Sequence, residues 1–164
     1  MMSDNEKKVY DAFKQLEIPY TRYEHIPAYT IQDLDNMKLK MEGQHCKNLF
    51  VRNHNGDKHY LVLVSQEKRA DLKNVSSQIG SSRLSFASSE RLSKYLGLTP
   101  GSVTPLGLLN DKGTEVTVLI DESLKNSKHI CFHPNVNTVT VSILYDDFIK
   151  FLKWRGNKFE YVKI

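Results

Sequence analysis

Three groups of residues have types and spacings that could do chemistry. Lys47 lies in the β-rich run Cys46 to Arg52 and shares a strand face with Leu49 and Val51. An ammonium on the apolar face of an interior strand is costly unless something pairs it. It either snorkels from a strand end to water or points into a pocket to meet a phosphate or a developing oxyanion. The second group is the loop Gly101-Ser102-Val103-Thr104-Pro105. Glycine lets a backbone N–H approach a ligand closely and proline stiffens the chain, so the loop could present donors to a carbonyl or phosphate oxygen. A plain connection between elements explains the same residues. In the third group His129, Cys131 and His133 alternate along one run and point the same way. That superficially resembles a three-ligand zinc site, but same-face side chains recur about 7 Å apart, whereas zinc ligands lie near 2 Å from the metal. At most two would converge without a bend, so no metal is expected and Cys131 reads as a small core residue. His133 precedes Pro134 where a strand gives way to a turn, a place from which a histidine can reach a site or simply shape the turn.

Other chemistries find less support. No G-x-G-x-x-G follows a strand, and there is no Walker A run, G-x-S-x-G or C-x-x-C. That lowers the dinucleotide, NTPase, α/β-hydrolase and thioredoxin readings. Trp154 falls opposite Tyr145 on the last helix, where it could stack on a base, although a terminal strand covering it is the simpler expectation. Lys150, Lys153, Arg155, Lys158 and Lys163 make a basic C-terminal region that suits a nucleic-acid backbone or merely complements a helix dipole.

A scaffold for these residues is readily found. The chain has 164 residues and a formal charge of +4, from 23 Lys and Arg against 19 Asp and Glu, which argues for one domain spanning 1–164. With 40% apolar residues it can bury roughly 70% of its unfolded surface, and global disorder is excluded. No run approaches the ~20 apolar residues of a bilayer span and the first residues lack a signal-peptide core, so a soluble cytoplasmic protein without a membrane partner is expected. Two distant cysteines, Cys46 and Cys131, point to reduced thiols rather than a disulfide scaffold.

Ser3 and Glu6 have capping-box spacing, and Val9, Ala12, Phe13 and Leu16 repeat at helical intervals behind them. A strand is expected over Tyr20 to His25, a turn over Pro27 to Thr30 and a short helix over Gln32 to Glu42. Cys46 to Arg52 and Lys58 to Val64 read as strands joined through His54-Asn55-Gly56-Asp57, the Asn-Gly pair being a strong hairpin signal. The second carries apolar groups on both faces, as an interior strand does. A helix over Asp71 to Ile79 and a short strand over Arg83 to Ala87 follow. Ser88 or Ser89 then caps a helix through Leu96, which Gly97 and Pro100 end. Glu115 to Asp121, Lys128 to His133 and Thr138 to Leu144 are further strands, Tyr145 to Arg155 a helix, and Asn157 to Ile164 a last strand. Strands in runs, rather than in strict alternation with helices, give an α+β class: a mixed, partly barrel-like central sheet with helices packed outside.

Six short pieces, in this order and spacing, carry a resemblance over almost the whole chain. They are His25-Ile26-Pro27-Ala28-Tyr29-Thr30, Gly43 to Phe50 around Cys46-Lys47-Asn48, Lys68-Arg69-Ala70-Asp71-Leu72, Arg83-Leu84-Ser85-Phe86-Ala87, Pro100 to Pro105, and His133-Pro134-Asn135. Together they resemble the YbaK/ProX family of aminoacyl-tRNA editing proteins, related to the insertion domain of bacterial prolyl-tRNA synthetases. The free-standing branch that deacylates alanyl-tRNA for proline is similar through its Lys-Asn-Leu-Phe and Arg-Leu-Ser-Phe-Ala pieces. The resemblance implies Lys47, Gly101 and His133 as catalytic residues. It implies Thr30, Ser102, Val103, Pro105 and Pro134 as substrate-binding residues, and no cofactor. Cys46 stands where the family usually has threonine, which touches no expected catalytic residue, and neither cysteine is implied as a nucleophile.

The implied reaction is hydrolysis of the ester between an amino acid and the terminal ribose of tRNA. Backbone N–H groups at Gly101 and Ser102 would stabilise the tetrahedral oxyanion and Lys47 would hold the adjacent phosphate or ribose, with water as nucleophile. The implied partner is the acceptor end of a mischarged tRNA, with prolyl-tRNA synthetase as a further candidate. Alternatives are a cysteinyl-tRNA deacylase of the YbaK type, a non-catalytic tRNA-binding module, and a zinc hydrolase using His129, Cys131 and His133.

Overall fold

The computed structural model describes residues 2–26, 36 and 41–164. The expected turn at 27–30 and nearly all of the expected helix at 32–42 lie outside the described residues. Helix α1 (Asp4–Leu16) starts where Ser3 Oγ accepts the Glu6 N–H, and its Val9 and Phe13 are fully buried. Strand β1 (Thr21–Glu24) follows, then the long β2 (Gln44–Arg52) and β3 (His59–Ser65). Asp71 caps α2 (Leu72–Ile79) through the N–H groups of Lys73 and Asn74. The two-residue β4 (Ser85–Phe86) precedes α3 (Ser89–Leu96), capped by Ser88. A 3-10 turn over Pro105–Asn110, strand β5 (Val116–Asp121) and a second 3-10 turn over Glu122–Asn126 come next. The chain closes with β6 (His129–Phe132), β7 (Val139–Leu144), α4 (Tyr145–Arg155) and β8 (Phe159–Val162).

The strands form one mixed sheet in the order β1-β7-β6-β2-β3-β5-β8, with β4 on the flank of β2. β3 is interior, antiparallel to β2 and parallel to β5, as its two apolar faces predict. β2 joins the two halves of the sheet. It runs antiparallel to β3 over seven pairs but meets β6 in parallel through only Gln44↔Ile130 and His45↔Cys131. This register sorts side chains to two faces. Phe50, Leu61, Leu63, Val118, Ile120, Ile130, Phe132, Val141 and Ile143 face the main core, which α1, α3 and α4 cover with Phe13, Leu96, Phe148 and Phe151. On the opposite face Val51, Val62, Val64 and Leu119 make a smaller cluster under Val75 of α2. The mixed sheet with helices outside is the expected class.

Two local expectations change, while the β2–β3 connection is the expected hairpin through 54–57, its last pair being Arg52↔His59. Asn53 takes over the turn: its side-chain Oδ1 accepts the N–H groups of Asp57 and Lys58, and its carbonyl accepts that of Gly56 at 3.1 Å. The Gly- and Pro-rich stretch becomes a 3-10 turn at Pro105, with Leu106 and Leu108 fully buried. Trp154 is not covered by the terminal strand. β8 pairs with the edge of β5 instead of lying over α4, and the indole stays 39% exposed.

Candidate active site

The site is built where β2 and β6 part. In a parallel pair, residues in register point to the same face, so continuing the alternation from the His45↔Cys131 pair puts Lys47 of β2 and His133, the residue after β6, on the same side of the sheet. That face lies opposite the main core. It also carries Thr140 and Ser142 of β7, since Ser142 pairs with Cys131.

Lys47 is half-buried, and its ammonium neither drifts to water nor sits unpaired: Nζ donates to the carbonyl oxygen of Lys68. Both sequence readings are thereby refined, the cation being held at the strand face by a fixed backbone dipole. The His133 Nδ1 lies 2.9 Å from the Val139 carbonyl. A carbonyl only accepts, so Nδ1 carries a proton and donates it to Val139. The His25 ring sits 6.0 Å from it, centroid to centroid. His25 Nδ1 donates to the Ile26 carbonyl at 2.9 Å, and its Nε2 shares a hydrogen bond of 2.8 Å with the buried Thr140 hydroxyl. Two histidine rings thus stand together at the β1–β7–β6 side of the face, while the Lys47 ammonium is held on the β3 side by Lys68. His25 is quoted among the sequence pieces, but no spacing marks it as a partner of His133, 108 positions further on; the pairing of β1 with β7 creates that contact.

The Gly97 cap of α3, four residues before Gly101, is tied to the turn after His133 through the first residues of α1, and no bond among the described residues joins the Gly101 loop itself to Lys47 or His133. Asn5 Nδ2 donates to the Gly97 carbonyl at 3.2 Å, and the buried Asn135 donates through Nδ2 to the Asn5 carbonyl at 3.1 Å. Gly101 is exposed with φ +94°, a conformation that L-residues rarely adopt, and a Cβ there would meet nothing within 4 Å. The two backbone donors differ. The Ser102 N–H is used inside the loop, on the Thr99 carbonyl at 3.1 Å, whereas the Gly101 N–H has no backbone partner among the described residues. Ser102 is buried, Val103 packs on the edge of the main core, and Pro105 is the buried first residue of the 3-10 turn, which Thr104 caps through the Leu106 N–H. Pro134 is buried under the turn that follows His133. Thr30 lies outside the described residues.

The alternating trio does not converge. His129 Nδ1 stands 3.5 Å from a Glu42 carboxylate oxygen, Cys131 Sγ donates to the Glu42 carbonyl, and His133 turns to Val139. Among the described residues no three His, Cys, Asp or Glu side chains are grouped to hold a metal ion.

With this geometry in place, similarity to known proteins is decisive. The aminoacyl-tRNA editing domain profile matches residues 25–151, which takes in His25, Lys47, the Gly101 loop and His133. The chain belongs to the aminoacyl-tRNA editing domain family. Within it, the chain is 40% identical over 164 residues, the whole of both sequences, to the prolyl-tRNA editing protein ProX of Acetoanaerobium sticklandii. It is 30% identical over 138 residues to the mouse prolyl-tRNA synthetase associated domain-containing protein 1, covering 82% of this chain and 81% of that one. A solved structure described as a trans-editing candidate for prolyl tRNA synthetase superposes with a TM-score of 0.72 at 21% identity, covering 100% and 99% of the two chains. That likeness establishes the editing-domain fold. No helix among the described residues of this editing domain is long and apolar enough to cross a membrane.

Proposed function

We propose that the protein is a free-standing editing hydrolase that removes alanine from mischarged tRNA(Pro). The observation that carries this reading is the 40% identity over the full length of a prolyl-tRNA editing protein, in a chain whose Lys47 and His133 share one face. The substrate is the ester joining alanine to the terminal ribose. Water attacks the carbonyl carbon, the bond from that carbon to the ribose oxygen breaks, and the proton lost by water passes to the departing ribose hydroxyl. Free alanine and tRNA leave. Between these states the carbonyl oxygen becomes an oxyanion, which the Gly101 N–H is suited to meet because no backbone acceptor among the described residues already uses it. Ser102 serves by closing the turn that presents Gly101. Lys47, held by Lys68, offers its remaining N–H bonds to the ribose or its phosphate, and His133, fixed through Nδ1 on the Val139 carbonyl, lines the pocket in which water attacks. Thr30, Val103, Pro105 and Pro134 would wall the aminoacyl pocket. The partner is the acceptor end of tRNA, for which a net charge of +4 is favourable, with prolyl-tRNA synthetase supplying the mischarged product.

Such an activity answers a physical limit: a synthetase pocket shaped for proline rejects a smaller amino acid by only about 1–3 kcal/mol per missing methylene. A second pocket too small for proline supplies the rest. Deacylation of alanyl-, cysteinyl- and prolyl-tRNA(Pro), measured side by side with purified protein, tests the proposal. Rapid release of alanine with prolyl-tRNA spared is expected. Faster release of cysteine would reassign the substrate, and equal rates for alanine and proline would remove the editing role.

A further inference from the structure

Lys47 is held by a backbone carbonyl, and the segment that supplies that carbonyl is itself anchored by an ion pair whose carboxylate is buried. Asp121 ends β5 with no solvent exposure, and its carboxylate is fully engaged. Oδ2 accepts the Ser65 N–H at 3.1 Å, while Oδ1 accepts the Ser123 N–H at 3.1 Å, the Ser123 hydroxyl at 3.0 Å and the Lys68 ammonium at 3.2 Å. Lys68 Nζ also donates to Ser123 Oγ at 3.0 Å. Ser65 and Lys68 are the two ends of one turn, closed by the Lys68 N–H on the Ser65 carbonyl at 3.0 Å. Asp121 therefore grips both ends of the turn, one through a backbone N–H and the other through a side-chain cation.

The geometry points to Asp121 and the Lys68 side chain as positioning residues for Lys47: by fixing the Ser65–Lys68 turn they set where the Lys68 carbonyl holds the Lys47 ammonium. This rests on the assignment of Lys47 to the reaction. Burial by itself would raise the Asp121 pKa, but the N–H groups of Ser65 and Ser123, the Ser123 hydroxyl and Lys68 outweigh it and bring it below the ordinary value. The carboxylate stays charged, as a grip on an ammonium requires. Lys68 is 36% exposed at its side chain and could satisfy its charge in water, so the ion pair's structural effect is to fix the turn.

The test uses the full chain with Lys68→Met, which removes the grip but keeps the carbonyl, Lys68→Arg, which keeps a cation, Asp121→Asn, and Lys47→Ala as reference. Two quantities are read: single-turnover deacylation of alanyl-tRNA(Pro), and the NMR resonance of the Lys47 ammonium group, assigned by its loss in Lys47→Ala. We expect Lys68→Met to slow deacylation about tenfold, a partial form of the ~100-fold loss that a 1 Å misplacement can cause. It should also shift the Lys47 resonance in a protein that stays folded, at a lower melting temperature because the buried Asp121 carboxylate loses its counter-ion. Lys68→Arg should keep most of both, and Asp121→Asn, if folded, should behave like Lys68→Met. A Lys68→Met protein with wild-type rate overturns the inference, as does a slowed one whose Lys47 resonance is unmoved. A Lys47→Ala protein with wild-type rate would instead remove Lys47 from the reaction, a distinct failure.

Discussion

Gly101→Ala separates the cost of a strained backbone from the cost of a lost donor. Gly101 sits at φ +94° with open space where a Cβ would go, so no clash is created. Retaining that φ with an L-residue costs roughly 1–2 kcal/mol, equivalent to a fall of about 2–8 °C in melting temperature for a chain of this size. The exposed loop can escape the strain by rotating to negative φ, but that rotation swings the peptide carrying the Gly101 N–H. If this N–H meets the oxyanion, its loss removes about 2.7–4 kcal/mol of transition-state stabilisation, a rate decrease of 10²–10³-fold. Gly80→Ala provides the control. Gly80 has φ +67°, also has nothing within 4 Å of a new Cβ, and caps α2 away from the proposed donors. Its stability cost should match while its effect on rate should be negligible. The assay is single-turnover hydrolysis of alanyl-tRNA(Pro) alongside thermal unfolding of both variants. If Gly101→Ala and Gly80→Ala lose equal stability and retain equal rates, the oxyanion role of Gly101 is refuted.

Three further outcomes are expected. Lys47→Ala should abolish measurable deacylation and leave the circular dichroism spectrum unchanged, since the lost contact is one bond to the Lys68 carbonyl; a folded variant with wild-type turnover would falsify the assignment. His59 is buried against Phe50 and Tyr95, and burial, with Arg91 and Arg52 nearby, lowers its pKa from 6.5 to about 4. The unfolded chain then binds a proton from about pH 6.5 downward that the folded one refuses until about pH 4, so stability falls by about 3 kcal/mol across that window. His59→Gln should flatten this component in urea titrations at pH 7 and pH 4.5, and an unchanged slope would show that His59 is not its source. Cys46→Ser combined with Cys131→Ser should deacylate at the wild-type rate, because the hydroxyl that replaces the Cys131 thiol can still donate to the Glu42 carbonyl and the proposed nucleophile is water; loss of hydrolysis by the folded double variant would implicate a thiol.

Local rules reach the elements and stop at the contacts between them. The capping residues Ser3, Asp71 and Ser88 sit where their side-chain chemistry predicts, and β3 is interior as its doubly apolar pattern requires. Alternation alone places His133 correctly at the end of β6. Lys47 could be marked as an anomalous cation, but not its holder: Lys68 lies 21 residues away, and only the pairing of Cys46 with Ser65 brings the two together. The Pro105–Asn110 turn is illegible for another reason. Pro105, Leu106, Gly107 and Leu108 are buried in an unbroken row, so the run has neither a helical nor a strand period. Trp154 shows that helical angle arithmetic is sound while the guess about its cover is not, since a strand's partner is chosen by the free edge of a sheet and not by sequence proximity.

The joint between β2 and β6 gives the protein a mechanical property. Two residue pairs are a thin seam for a sheet of this breadth, and Lys47 and His133 stand on opposite sides of it. Beyond the seam no ladder fixes how far apart the two strands run. The gap is set from beneath, by the side chains of the main core that support both halves, with Ile130, Phe132 and Phe148 on one side and Phe50 and Leu63 on the other. Close-packed interiors transmit changes of even one methylene. Core substitutions can therefore retune the gap between Lys47 and His133, and on the proposed reading this gives evolution a route to new amino-acid preferences that leaves those two residues in place.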